Sequence, residues 1–204
     1  MNDPDTDLRA RLVAAGVELV STEGVHALGL REIARRAGVS HGAPRRHFPT
    51  HRELLSAVAR QGFGRLTDAM AGADALAAAT GADPRDRLVA LARAYLGYAA
   101  ANPGMFELMF RHDLLEGSGT ELRHTTLPMF RTVARLVGEV RQDQAEPAPA
   151  AAALWANLHG LAQLRTWGSL RLVTGGDDLE PLLRATLDAH LGAPADDHRP
   201  ALRP

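Results

Sequence analysis

The chain has 204 residues, 46 % of them hydrophobic, which suits one large or two small domains with a substantial core; its formal net charge of −1 conceals a local asymmetry. It contains no cysteine and no lysine, which excludes disulfides, thiolate metal sites, cysteine nucleophiles, Schiff bases and a P-loop lysine, and leaves Arg as the only strong phosphate contact among its 23 basic residues. No apolar run approaches the roughly 18 residues of a membrane span, and the acidic stretch Met1-Asn2-Asp3-Pro4-Asp5 stands where a signal peptide would be basic, so a cytoplasmic protein with no membrane partner is expected.

A first helix is predicted over residues 6–22, capped by Thr6 or Asp7 and burying Leu8, Leu12, Ala15, Leu19 and Val20. Gly29 occupies the N-cap of the next helix without offering a side-chain acceptor. There Leu30, Ile33, Ala34 and Ala37 recur at spacings of three and four, so Arg31, Arg35 and Arg36 point outward. Gly38 suits a left-handed helix end, Val39 a hydrophobic anchor, and Ser40 the N-cap of a second short helix from about His41 to His47. The result is a helix-turn-helix, whose second helix enters the major groove. Thr50, with Glu53 three residues on, forms a capping box for a long helix running to about Ala71, with Gly62 and Gly64 as weak points.

Residues 74–83 read as the end of that helix and a loop. Asp83-Pro84 opens another helix, with Leu88, Leu91, Ala92, Tyr95, Leu96 and Ala99 as its stripe, ended by Asn102-Pro103-Gly104. Met105 to Phe110 makes a bulky apolar helix of two turns, and residues 114–120 a Gly-rich loop. A helix from Leu122 to about Arg141 should be interrupted or kinked near Pro128, and residues 142–150 should form a loop. A long helix from Ala151 to about Leu172 is apolar on more than one side, so more than one side must be covered. Gly175-Gly176 ends it, a last helix spans about 178–191, and a polar tail follows from 193. With no strand of useful length and no repeat, the fold class is all-α with roughly nine helices: a helix-turn-helix domain over 1–50, a larger helical domain over 51–192, and the tail 193–204.

Charge coincides with the motif. Residues 25–65 carry eight Arg against two acids, a local charge of +6, whereas the rest of the chain carries 15 Arg and 22 acids, −7. A basic patch on a helix-turn-helix is the electrostatic footprint of a nucleic-acid reader.

The motif Ile33-Ala34, Ala37-Gly38-Val39-Ser40, Gly42 and His47-Phe48, followed by Glu53-Leu54-Leu55, resembles the TetR family of bacterial transcriptional regulators over residues 8–58. Trp155 and His159-Gly160 look like the signature of a C-terminal subset of that family named for its Trp-His-Gly residues. Three positions depart from the family pattern. Ala43-Pro44-Arg45 stand where a small residue, Leu and Tyr are usual; His51 replaces a phosphate-touching Lys; and Gly29 replaces a Ser or Thr cap.

The resemblance implies a homodimer, paired through helices 151–172 and 178–191 as a four-helix bundle, on a near-palindromic double-stranded DNA operator. Arg31, Ser40, Thr50, His51 and Arg52 would hold phosphates; His41, Gly42, Ala43, Arg45 and His47 would face bases around Pro44, with Arg45 able to read guanine bidentately. It also implies a repressor released by a small, largely apolar effector. Tyr95, Met105, Phe106, Met109, Phe110, Met129, Trp155, Leu158, His159 and Ala162 are candidate pocket residues, each alternatively plain core. Effector binding would act through the helix starting at His51. No cofactor is implied. His41, His47 and His51 lack a completing metal-ligand pattern, and His159 reads as a buried hydrogen-bonded histidine, a ligand contact or a general base without a paired nucleophile, so neither a metal site nor an enzyme is expected. The alternative is a ligand-binding or interaction protein of the same fold that reads no specific DNA.

Overall fold

The computed structural model describes residues 4–115, 119–141 and 145–193. Among them lie eleven α-helices and one 3₁₀ turn, and no strand. In chain order these are α1 (Pro4–Glu23), the 3₁₀ turn Val25–Ala27, α2 (Leu30–Arg36), α3 (Pro44–His47), α4 (His51–Ala79), α5 (Pro84–Ala101), α6 (Pro103–Phe110), α7 (His112–Leu115), α8 (Gly119–Arg141), α9 (Pro147–Thr166), α10 (Ser169–Thr174) and α11 (Glu180–Leu191).

The all-α expectation holds, and the differences lie at helix ends. α4 continues to Ala79, through residues expected to be loop, because Ala is the strongest helix former and Asp74 receives a bidentate ion pair from Arg87 of α5 at 2.7 Å. Gly81, at φ +76°, closes the turn that follows. The stretch 114–120 is not simply a loop: its first two residues belong to α7, its last two open α8, and 116–118 lie outside the described residues. α8 runs through Pro128 without interruption. α9 starts at Pro147, inside the segment read as a loop, since Pro147 and Pro149 occupy a first turn whose amide groups need no helical partner; residues 142–144 lie outside the described residues. The expected helix to Leu172 breaks at Gly168, which adopts φ +74° and separates α9 from α10. Of the tail, 194–204 lie outside the described residues.

α4 is the spine of the molecule. It packs along α5 and also meets α1, α6, α7 and α8, and a single buried cluster joins Leu12, Leu19 and Ile33 of the N-terminal helices to Leu54, Leu66, Leu108 and Leu154. α6 lies against α1 so closely that a Cβ at Gly104 would stand 2.4 Å from the Val20 carbonyl oxygen. α11 is tied to α5 by ion pairs of Arg85 with Asp188 and Arg93 with Glu180. No helix among the described residues is long and apolar enough to cross a membrane.

Candidate nucleic-acid interface and ligand cavity

The turn between α2 and α3 is built by hydrogen bonds that the sequence pattern dictates. Gly38, at φ +69°, lets Val39 N–H reach back to the Ala34 carbonyl at 3.0 Å, the closing bond of a Schellman motif. Arg11 of α1 donates to the Ala37 carbonyl at 2.6 Å and so satisfies the helix end from outside. The second helix departs from expectation. Residues 41–43 form a turn, with Ala43 N–H on the Ser40 carbonyl at 3.0 Å, and helix begins at Pro44. A helix from His41 would require an amide hydrogen at position 44 to bond the Ser40 carbonyl, and proline has none. Ser40 is accordingly not a side-chain cap; Ala43 holds that position. Phe48, buried after the short helix, carries the Arg9 guanidinium 4.9 Å from its ring centroid and fixes α3 to α1.

The basic patch divides into two sets. Arg36 is anchored inward by Glu23 at 2.5 Å, Thr22 at 3.3 Å and Glu18 at 3.5 Å, and Arg35 pairs with Glu32. That hydrogen bond holds the Glu32 carboxyl below its ordinary range. Arg31, Arg45 and Arg46 are exposed and make no ion pair among the described residues, so their charge is available to an outside anion.

Ser40, His41, Gly42, Thr50 and Arg52 are exposed beside them, while Ala43 and His47 are half-buried. Pro44 is buried, so it packs where a contact residue was expected. His51 Nε2 donates to the Leu28 carbonyl at 2.6 Å. In that tautomer Nδ1 is an acceptor, so the group left to His51 for a phosphate is its backbone N–H in the first turn of α4. Thr50 caps α4 as expected, accepting the Glu53 amide at 3.2 Å; the Glu53 carboxylate lies against the Thr50 hydroxyl at 3.2 Å and does not complete the capping box on the backbone.

A cavity of about 590 Å³ lies between α4, α5, α7, α8 and α9, with the end of α6 on its wall. Of the expected pocket residues, Tyr95, Phe110, Met129, Trp155 and Leu158 line it. Met105 and Met109 do not: both are buried against α4, where a Cβ at Gly62 would meet their sulfurs at 2.7 Å. Phe106 and His159 form the layer behind the wall, their rings stacked at 5.2 Å, and Ala162 is core. Phe63 and Met70 of α4, Leu88, Leu91 and Ala92 of α5, His112 of α7 and Thr126, Phe130 and Val133 of α8 also line the cavity, where the sequence did not place them; several of them read from sequence only as the apolar stripes of their helices. Phe63 and Met70 share one face of α4 seven residues apart, a signal that ordinary core residues give equally.

A hydrogen-bonded chain runs from the wall into the layer behind it. Trp155 Nε1–H donates to the Tyr95 hydroxyl at 3.2 Å, that hydroxyl shares a hydrogen bond with His159 Nδ1 at 2.9 Å, and the Gln163 carboxamide nitrogen lies 3.4 Å from His159 Nε2. Burial pushes the Tyr95 phenol up and the His159 imidazole down, so both are held neutral. His159 is half-buried and hydrogen-bonded to Tyr95. No group of three His, Asp or Glu able to hold a metal occurs among the described residues.

With this geometry in view, the similarities to known proteins are specific. The profile described as "Tetracyclin repressor-like, C-terminal domain" matches residues 88–190, and that of "Bacterial regulatory proteins, tetR family" matches 12–58. The chain belongs to the TetR family. Its N-terminal match runs from within α1 to the start of α4, the helix-turn-helix unit of that family, and the C-terminal match runs from within α5 to α11, taking in the cavity helices other than α4.

Among curated TetR relatives, the HTH-type transcriptional activator FasR of Mycolicibacterium smegmatis is 33 % identical over 110 residues, 54 % of this chain and 48 % of that protein. The HTH-type transcriptional regulator BetI of Rhizobium meliloti is 38 % identical over 86 residues, 42 % of this chain and 40 % of that protein. The matched region spans half the length of these relatives or less. A solved structure of a protein of unknown function from Rhodococcus sp. RHA1 superposes with a TM-score of 0.74 at 30 % identity, covering 90 % of this chain and 93 % of that one. Against the TetR pattern, the departure at Pro44 is a packing change, because its buried ring stands where Leu is usual.

Proposed function

We propose that the protein is a cytoplasmic, ligand-responsive transcriptional regulator that binds a near-palindromic DNA operator as a homodimer and is released when a small, largely apolar effector fills the cavity. The observation that carries the DNA half is the trio Arg31, Arg45 and Arg46, exposed around the Gly38 turn with no ion pair among the described residues. Three unpaired guanidiniums on a helix-turn-helix present the charge and the fork geometry that phosphates and guanine edges bind. Arg45 reads a base edge; Arg31 and Arg52 hold phosphate.

The dimer half is supported by α9 and α10. Their outer side leaves Trp155 41 %, Leu164 39 %, Trp167 70 %, Leu172 88 % and Val173 87 % exposed in the single chain, the over-apolar surface that a second copy would cover. The effector half is supported by the cavity, whose volume lies inside the range of small-molecule sites. FasR is named an activator, so membership of the family does not set the sign of regulation.

The test is a gel shift with DNA flanking the protein's own gene at about 150 mM salt, where non-specific binding is weak. A palindromic segment bound far better than random DNA is expected. Arg45→Ala should cost about 1–3 kcal/mol and relax discrimination at one base position, whereas Arg52→Ala should weaken binding on every sequence. Uniform binding of all DNA would sink the reading. Retention of ligand binding with no specific DNA bound would leave the family's fold serving a different role.

A further inference from the structure

We propose that the cavity selects an uncharged ligand with a flat aromatic or fused-ring body; this rests on the reading of the cavity as the effector site. The wall is unusually free of charge. Among the described residues that line it there is no Asp, Glu or Arg, and the polar side chains that are not part of the hydrogen-bonded chain are His112 and Thr126, both toward the α7–α8 side.

The remaining polar groups are already engaged. Trp155 spends its one donor on the Tyr95 hydroxyl, and that hydroxyl is also hydrogen-bonded to His159 Nδ1, so the indole presents no unused hydrogen to a ligand. An ionised ligand would leave water for a wall with no countercharge, which is strongly unfavourable unless the charge is paired.

The aromatic side chains add the preference for shape. Phe63 meets Phe110 edge-on with centroids at 5.5 Å, and Phe110 is tilted against Trp155 at 6.1 Å. A flat ring entering beside them gains edge and offset contacts of the same kind, which a saturated chain of equal volume does not. Cavity width is set by small residues: Ala92 on α5 and Ala152 on α9 both line it, and Ala152 is on the exposed side of its helix.

The test uses three dyes on one skeleton, titrated by fluorescence into the full-length protein: N-phenyl-1-naphthylamine, its 8-sulfonate and its neutral 8-sulfonamide. The parent amine should bind saturably, the sulfonamide within a few-fold of it, and the sulfonate at least about tenfold more weakly. Binding should be lost in Ala92→Trp, which fills the cavity. It should also be lost in Ala152→Trp, where an exposed position keeps the fold intact, and should persist in Trp167→Ser, which removes the largest exposed side chain of the outer surface.

A sulfonate that binds as tightly as the amine, and is lost in the same cavity variants, overturns the charge selection while the effector cavity stands. A sulfonamide as weak as the sulfonate assigns the difference to size and overturns it equally. Binding that ignores both cavity variants, or no saturable binding of any dye, overturns this inference and the effector-cavity reading together.

Discussion

The Tyr95 hydroxyl lies 2.9 Å from His159 Nδ1 and 3.2 Å from Trp155 Nε1, so one buried oxygen links α5 to two successive turns of α9. Tyr95→Phe removes that oxygen and leaves an imidazole nitrogen and an indole N–H unsatisfied in a wall 2 % exposed at residue 95. A loss of about 1–3 kcal/mol is expected, measured as the shift in urea midpoint. A change below roughly 0.5 kcal/mol would mean that water replaces the hydroxyl without cost.

Acidification should act through His159. Burial lowers its pKa in the folded state below the ordinary value of 6.5, so the unfolded chain takes up the proton first as pH falls. The contribution of His159 to stability is therefore fully present above that ordinary value and is lost as pH drops toward the folded pKa. Thermal melts from pH 8 to 5 should show His159→Gln losing less stability on acidification than the parent. Parallel pH curves would refute the assignment.

At Gly104 the chain has no room for a side chain. A Cβ would stand 2.4 Å from the Val20 carbonyl oxygen and 3.3 Å from Gly24 Cα, both backbone atoms that cannot rotate away. Gly104→Ala should cost about 1–3 kcal/mol. At Gly62 the obstructing atoms are the Met105 and Met109 sulfurs at 2.7 Å, which can shift, and Ala gains up to about 1 kcal/mol of helix propensity. Gly62→Ala should therefore change stability by less than Gly104→Ala, a comparison that two melting curves settle.

The two sets of arginines should separate in mutation. Arg36, 20 % exposed and held by Glu18, Glu23 and Thr22, fastens α2 to α1, so Arg36→Ala should lower stability by about 1 kcal/mol. Arg45→Ala should leave the melting temperature nearly unchanged while reducing operator affinity. A stable Arg36→Ala protein that has lost DNA binding outright would place Arg36 on DNA instead.

Much of this was legible in the sequence because it rested on local rules. The Gly38 turn, the Thr50 and Asp83 caps and the stripes of α1, α2 and α5 are fixed by residues within one helical turn of each other, and they appear as read. The turn at residues 41–43 was also local, and reading Pro44 as a missing amide for the Ser40 carbonyl would have found it. The cavity was only half legible, since a wall is assembled by helices distant in sequence. Nothing in the spacing of Met105 and Met109 says that they turn toward Gly62, or that Phe63, Leu88 and Val133 turn toward the void.

The contact of Gly104 with Val20 also bears on how the N-terminal unit can move. It is joined to the helical body covalently through α4 and pressed against it a second time where α6 meets α1. Phe110, six residues beyond Gly104 on α6, sits on the cavity wall. Under the proposed effector reading, a ligand pressed on Phe110 bears on the same helix that abuts α1, so α6 is a second route, beside α4, from the cavity to the recognition helix.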